Sequence, residues 1–538
     1  MDKFRGYFDS NVWLGRRVCR RGEQVFAADE IGEELSRAGV AKALVSHRLA
    51  LEYETETGNH QLMDEIAGDE RFVPCWVVRP DVGMGIAKPL AVVAEMVKSQ
   101  VPAARIFPRS HIFPLLDEVV GELVRCLAGS NMTLLIARDE IDWRDLVELL
   151  RCDAKLNVVM TDVHWRDFGA LISLMKAQAN LHVELSLFQV NRGIDVLVNE
   201  GLVDRILFGS GTPERSPGAI RSYVEYSDIP DSAKDEIAYG NAARLLGCET
   251  DGPAVDLPDD SLIRLAGTGK TVESIVLVDS HAHHIHPGGN SMAMMPMPLG
   301  SARGLVDRMD RLGVERACIS SFRAMYGDVA GGNRDTLDAL ENFRGRFFGY
   351  LVYNPWYEQD LDEILAAFEQ NDDLVGFKPY EPATEYPLDG DRYDNIWSFA
   401  DKHRLIVLAH LELDRLAAID RLAERFQNVQ WIVPHAGQSF EMAEGIVEIA
   451  LKWNNIWTDI THTNIKSHVI EFLVEHLGSG RVLFGTDMPM RDPAPQLGWV
   501  CFSRCSHEDR FAMLGGNFLA MVEHARGHRI TVGQGTKT

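Results

Sequence analysis

Two histidines one residue apart, His281 and His283, close the run IVLVDSHAH. Alternate side chains of an extended strand point the same way, so this spacing puts both imidazoles on one side. Further along the same half, Lys378 follows LVGF, His410 ends LIVLA, His435 ends VQWIVP and Asp487 ends RVLFGT. Imidazoles and a carboxylate gathered at one opening suit a borderline divalent cation, zinc or another such as manganese. Each feature alone is a common accident of sequence; their joint appearance at successive strand ends points to a metal site. His284 and His286 extend the run to HAHHIH, but the spacing puts His284 on the opposite face, outside the set.

Bringing these residues to one mouth requires elements that end at a common rim. Short apolar runs such as IVLAH, QWIVPHA and RVLFGT alternate with amphipathic stretches such as LDEILAAFEQ and LDRLAAIDRLAERF. Continuous apolar runs are the signature of parallel strands buried on both faces, and the alternation predicts a (β/α)₈ barrel. The chain states this pattern twice. RILFGSGTP at Arg205 returns as RVLFGTDMP at Arg481, FVPCWVVRP as FFGYLVYNP, LLIARDEI as IVLAHLEL, and YGNAARLLG as GGNFLAMVE. The offsets stay narrow: Asn11 to His281 is 270 residues, Arg138 to His410 is 272, Asp162 to His435 is 273, and Gly211 to Asp487 and Asn241 to Asn517 are both 276. A tandem duplication follows. The expected fold class is α/β, with two tandem (β/α)₈ TIM-barrel-like domains of about 250 residues each. Residues 1–249 form the first barrel, 250–275 a linker with one helical turn at most, and 276–538 the second barrel.

Composition narrows the partners. A net charge of -25 and a pI near 5.1 disfavour nucleic acid, whose phosphates attract positive surfaces. No apolar run has the length of a spanning helix, and the polar start MDKFRGYFDS does not read as a signal peptide. A cytoplasmic protein without membrane partners is expected. The eight cysteines form no C-x-x-C pair and read as reduced. LAGTGKT in the linker resembles a phosphate loop, but the pattern needs glycine where Arg264 stands.

DSHAH, GFKPY, YPLDGDRYDNIWSFADKHRLIVLAH, IVPHAG, FGTDMP and the terminal GGN together resemble the amidohydrolase superfamily, in particular its amidohydrolase-related branch of metal-dependent hydrolases and nonoxidative decarboxylases. The resemblance covers most of residues 276 to 525. It implies that His281, His283, His410 and Asp487 are metal ligands, that Asp487 also moves a proton, and that His435 acts on the substrate or the attacking water. Lys378 stands where some members carry a carboxylated lysine between two metals; a plain lysine pairing with a substrate carboxylate explains it equally well. Glu412 departs from the family's usual glycine and makes that part of the mouth more acidic. The Met-rich segment GGNSMAMMPMPLG reads as an adaptable lid or a surface loop, and Arg323, Tyr326, Trp356, His462 and Arg491 lie near strand ends, within reach of a substrate.

The resemblance implies a hydrolase in which metal-activated water attacks a small amide, lactone or ester bearing a carboxylate. A metal-dependent decarboxylase is the alternative, and a metal-binding scaffold or sensor without catalysis is a third. A homo-oligomer is left open. In the first half Asn11 and Trp13 replace the two histidines, Arg105 the lysine, Arg138 the fifth-strand histidine, Asp162 the sixth-strand histidine and Gly211 the aspartate. Guanidinium, indole and glycine offer no lone pair to a metal, so this half is expected to be a pseudo-enzyme barrel with a structural role. The second option is an anion pocket built from Arg105, Arg109 and Arg138.

Overall fold

The computed structural model describes residues 3–18, 25–80, 88–271, 275–293, 295–357 and 361–533, the side chains of 361–363 and 528–533 aside. It divides into two compact units, Met1–Gly269 and Lys270–Thr538. Each contains one eight-stranded sheet whose strands pair in chain order, and every pairing is parallel. The fold class read from the alternation of apolar and amphipathic runs is therefore the one observed.

In the second unit the strands are Leu277–His284, Val314–Ser321, Phe347–Leu351, Leu374–Phe377, Ile406–Leu408, Gln430–Val433, Ile456–Asp459 and Val482–Leu483. Strand eight returns to strand one through backbone bonds, Ser280 N to Phe484 O at 3.0 Å and Asp487 N to His281 O at 2.7 Å, which close the barrel. Its core takes side chains from most strands, among them Val278, Cys318, Val375, Ile432 and Leu483, and Phe518, Met521 and Val522 of the C-terminal helix Asn517–Gly533 pack onto it. The first unit repeats this plan. Strand one is Tyr7–Leu14, strand eight Ile206–Leu207, and Ser10 N donates to Phe208 O at 2.9 Å. Phe8, Leu44, Leu135 and Val159 make its core, and Ala242, Ala243 and Leu246 pack onto it.

The agreement extends to irregularities. Strand one slips register after Tyr7 and after Asp9 in the first barrel, and after Leu277 and Asp279 in the second. Asp9 and Asp279 serve these slips in the same way. Each is wholly buried, and accepts from the backbone two residues on (Asn11 N at 3.0 Å, His281 N at 2.9 Å) and from strand eight (Ser210 N and Thr486 N, both 3.0 Å). Each carboxyl thus ties strand one to strand eight.

The segment expected as a linker is in part built into the first unit. Ala254–Val255 pairs antiparallel with Phe4–Arg5, and the buried Arg221 donates from Nε to Gly267 O at 2.8 Å. A helix Ser261–Ala266 starts on Asp260, whose side chain caps Leu262 N and Ile263 N. The polar text TDGPAVDLPDD hid this, because the burial rests on a few apolar side chains, Leu257, Leu262, Ile263 and Ala266. Residues 272–274 lie outside the described residues. The seven cysteines among the described residues are free, and no described helix is long and apolar enough to cross a membrane.

Candidate metal centre

In the second barrel all six singled-out residues stand at or just past the carboxyl ends of strands one, four, five, six and eight. His281 and His283 alternate with Ala282 along the wholly buried strand one, and their rings meet edge to face at 5.1 Å. His435 and Asp487 follow their strands in left-handed backbone, at φ 67 and 58. A non-glycine residue in that region costs on the order of 1 kcal/mol or more and turns its side chain sharply off the strand direction.

The structure brings His281, His283 and Asp487 into one group. His281 Nε2 lies 3.2 Å from His283 Nε2, and Asp487 Oδ1 lies 3.1 Å from His283 Nε2 and 3.7 Å from His281 Nε2. Lys378 Nζ approaches His281 Nε2 at 3.5 Å. His410 reaches the group through His435, whose Nε2 is 3.2 Å from His410 Nδ1. Among the described residues two sets of donor atoms are compact enough for one ion: His281, His283 and Asp487, and His281, His435 and Asp459.

Electrostatics prepares this cluster for a cation. Burial holds all four imidazoles below their ordinary range, and for His281 and His410 the Lys378 ammonium adds to it. Burial also pushes Lys378 down to about 8, against the pull of Asp487 and Asp459. Burial alone would raise Asp487. The Arg491 guanidinium, 2.8 Å from its Oδ2, and the bond with His283 outweigh that and hold the carboxyl well below its usual range. At neutral pH the cluster is therefore neutral imidazoles beside an ionised carboxylate, a donor set of lone pairs that fits a divalent cation.

The surroundings sort the remaining expectations. His284 faces away and bonds Thr336 Oγ1 at 2.9 Å, and His286 is exposed. Arg491 belongs to the cluster, whereas Arg323 is paired with Asp328 and Asp335. The Tyr326 hydroxyl meets that of Tyr380 at 3.2 Å, and Tyr380 stacks edge-on against His410 at 5.2 Å. Trp356 binds Thr384 O through its indole nitrogen, the His462 ring lies 5.9 Å from that of His435, and Glu412 is exposed. The Met-rich segment forms a small hairpin, Ser291–Met292 with Met295–Pro296, and Met295 and Met297 are buried in it; Met294 lies outside the described residues.

Sequence reading missed Asp459, at the end of strand seven, and Thr461. Asp459 is wholly buried, and its Oδ2 lies 2.8 Å from His281 Nδ1. A signal existed: Glu184 ends strand seven of the first barrel, 275 residues earlier, within the repeat offset. There it accepts from Asn11 Nδ2 at 3.3 Å and Asp162 N at 2.6 Å. The rest of that mouth is differently wired. Arg215, the counterpart of Arg491, pairs with Asp162 at 2.6 Å, and Gly211 takes the left-handed place of Asp487 at φ 73. Arg105 donates to Asn11 Oδ1 at 3.0 Å and lies over the Trp13 ring. The three arginines of the alternative anion pocket have separate partners: Arg138 binds Asp167 and Ile141 O, and Arg109 binds Asp139 O.

Residues 278–521 match the family model described as amidohydrolase. No curated relative matches the chain. Among solved structures it is similar to 2,6-dihydroxybenzoate decarboxylase from Rhizobium, at 14% identity over 46% of this chain and 99% of that one, with a TM-score of 0.38. It is also similar to 5-carboxyvanillate decarboxylase from Sphingomonas paucimobilis, at 13% identity over 46% and 99%, TM-score 0.36. A third is dihydroxybenzoic acid decarboxylase from Polaromonas, with bound manganese and an inhibitor, at 14% identity over 46% and 97%, TM-score 0.36.

Proposed function

We propose, from the premise that the second barrel belongs to the amidohydrolase family of metal-dependent hydrolases and decarboxylases, that this chain is a metal-dependent hydrolase of a small carboxylate-bearing amide, lactone or ester. The observation that carries the reading is the convergence of His281 Nε2, His283 Nε2 and Asp487 Oδ1 within 3.7 Å of one another in a buried mouth. With His410 as fourth ligand, these residues would hold zinc or manganese. The bound ion would supply Lewis-acid polarisation of the substrate carbonyl and make water more acidic.

The side chains divide the remaining work. Lys378, a buried ammonium beside His281, pairs with the substrate carboxylate and fixes its orientation. Asp487, kept ionised by Arg491, accepts the proton of the attacking water. His435, neutral through burial, takes up a proton from the site and returns it to the leaving nitrogen or oxygen as the acyl bond breaks. The first barrel, with none of the ligands, is a non-catalytic partner in this reading, and the chain is a duplicated one.

The test is metal content of protein purified without chelator, followed by turnover of lactones, amides and aromatic acids. About one zinc or manganese per chain is expected, lost in Asp487→Asn. His435→Ala is expected to keep the metal and lose about 10²–10⁴-fold in kcat. Release of carbon dioxide in place of acid would replace hydrolysis by decarboxylation, and about two ions per chain would make Lys378 a bridging ligand. Folded protein that holds no ion and cannot be loaded would remove the enzyme reading.

A further inference from the structure

We infer that Asp459, at the end of strand seven, is the positioning residue that sets the proton position on His281, while Thr461, whose hydroxyl it binds, holds that of His435. The inference rests on the metal reading of the same site. It concerns how the ligands are prepared, not which residues they are.

The hydrogen bonds around Asp459 leave little freedom. Its Oδ1 accepts from His435 N at 3.0 Å, from Thr461 N at 3.0 Å and from the Thr461 hydroxyl. Its Oδ2 faces His281 Nδ1 at 2.8 Å. A carboxylate with this many donors on it acts as acceptor only, so the hydrogen of His281 sits on Nδ1. The lone pair is then on Nε2, the atom 3.2 Å from His283 Nε2.

The second imidazole is set through one more atom. Thr461 spends its single hydroxyl hydrogen on Asp459, so its oxygen meets His435 Nδ1, 2.7 Å away, as an acceptor. The Thr461 carbonyl, 2.8 Å from the same nitrogen, can only accept as well. His435 therefore carries its hydrogen on Nδ1 and turns the lone pair of Nε2 into the mouth. The buried Asp459 carboxylate thus keeps Nε2 of His281 open, and Thr461 that of His435.

The first barrel shows which part of this wiring belongs to the fold. Glu184 bonds Asp162 N at 2.6 Å and Ser186 Oγ at 2.7 Å, the counterparts of His435 N and the Thr461 hydroxyl. Tying strands six and seven together is common to both barrels. Ring nitrogens on the acid and on its hydroxyl neighbour occur only where the cluster of imidazoles stands.

The experiment compares full-length wild type with Asp459→Asn. The amide keeps an oxygen for the three donors but turns an N–H₂ towards His281 Nδ1, which must then accept, and the hydrogen moves to Nε2. Zinc affinity, measured by competition with a chromogenic chelator, is expected to fall about 10–100-fold, with the melting temperature of the metal-free protein unchanged. Nitrogen-15 histidine spectra of metal-free protein are expected to put the hydrogen of His281 and His435 on Nδ1 in the wild type and that of His281 on Nε2 in the variant. Thr461→Val, whose main-chain carbonyl still accepts from His435 Nδ1, is expected to keep zinc affinity and to leave the hydrogens of both imidazoles on Nδ1.

Unchanged zinc affinity in Asp459→Asn, or a wild-type spectrum with hydrogen on Nε2 of His281, would overturn the inference. A second zinc in the wild type, lost in the variant, would also overturn it, because Asp459 would then be a ligand. If Asp459→Asn does not fold, the wild-type spectrum alone decides. A wild type that binds no zinc refutes the metal reading instead, and so the two failures are distinguishable.

Discussion

Replacing Asp9 by asparagine separates barrel closure from charge. The carboxyl is wholly buried, and burial pushes it up from 3.8 to about 7, against the hydrogen bonds it accepts from Asn11 and Ser210. Below about pH 4 the carboxyl is neutral in both folded and unfolded chains. Between that point and about 7 the unfolded chain ionises and the folded one does not, so stability is lost as pH rises through this window. About 3 pH units at ~1.4 kcal/mol each give about 4 kcal/mol as an upper bound. Asparagine can reproduce the bonds: its oxygen accepts from Asn11 N and Ser210 N, and its amide donates to Ser210 Oγ, which lies 2.7 Å from Thr212 Oγ1 and can donate there. Urea unfolding of wild type and Asp9→Asn at pH 5 and pH 8 is the assay. The variant is expected to gain relative stability between the two, by up to about 3 kcal/mol, because only the 2 pH units from 5 to about 7 fall between them. Equal differences at both pH values would refute the reasoning, because the buried group would then not titrate between them.

Two further outcomes follow from the second barrel. Lys378, pushed down to about 8 by burial, loses its ammonium as pH rises through that value, so KM for a carboxylate substrate is expected to climb above about pH 8; Lys378→Met should have a high KM at every pH, and a wild-type KM flat to pH 10 would contradict the assignment. Gly485 sits where an added Cβ would lie 2.7 Å from Thr461 Cγ2 and 3.0 Å from His281 Cβ. Gly485→Ala is expected to cost about 1–3 kcal/mol in thermal unfolding and to weaken metal binding, since the strand can relieve the overlap only by shifting His281.

The fold was legible because a parallel barrel writes itself as apolar runs at regular intervals, and strands such as Leu277–His284 and Gln430–Val433 are buried along their whole length. Within residues 250–275 a few buried side chains, Leu257 and Ile263 among them, pack despite a polar stretch; propensity is a local signal and does not register them. At the site, residues that end strands could be picked out, because type and position coincide at His281, His283, His435 and Asp487. Asp459 escaped because an aspartate in IWTDITHT looks like a turn residue; its role depends on lying opposite His281, 178 residues away, a closure that only the barrel supplies. Arg491 stood among several residues near strand ends, and nothing in the sequence distinguished it from Arg323. Their difference is the partner, Asp487 for one and Asp328 and Asp335 for the other.

The pairing of Arg215 with Asp162 bears on mutational paths. An aspartate restored at Gly211 would project its Cβ into the Arg215 guanidinium. Moving that guanidinium aside would leave the half-buried Asp162 carboxylate without the partner it has at 2.6 Å. Asn11 and Trp13 would still have to become histidines, and Trp13 is packed with Ala50, Val77 and Phe107. No single step leads from the first mouth to the second. An engineer seeking a second metal centre in this chain would have to change the strand-six and strand-eight pairs together.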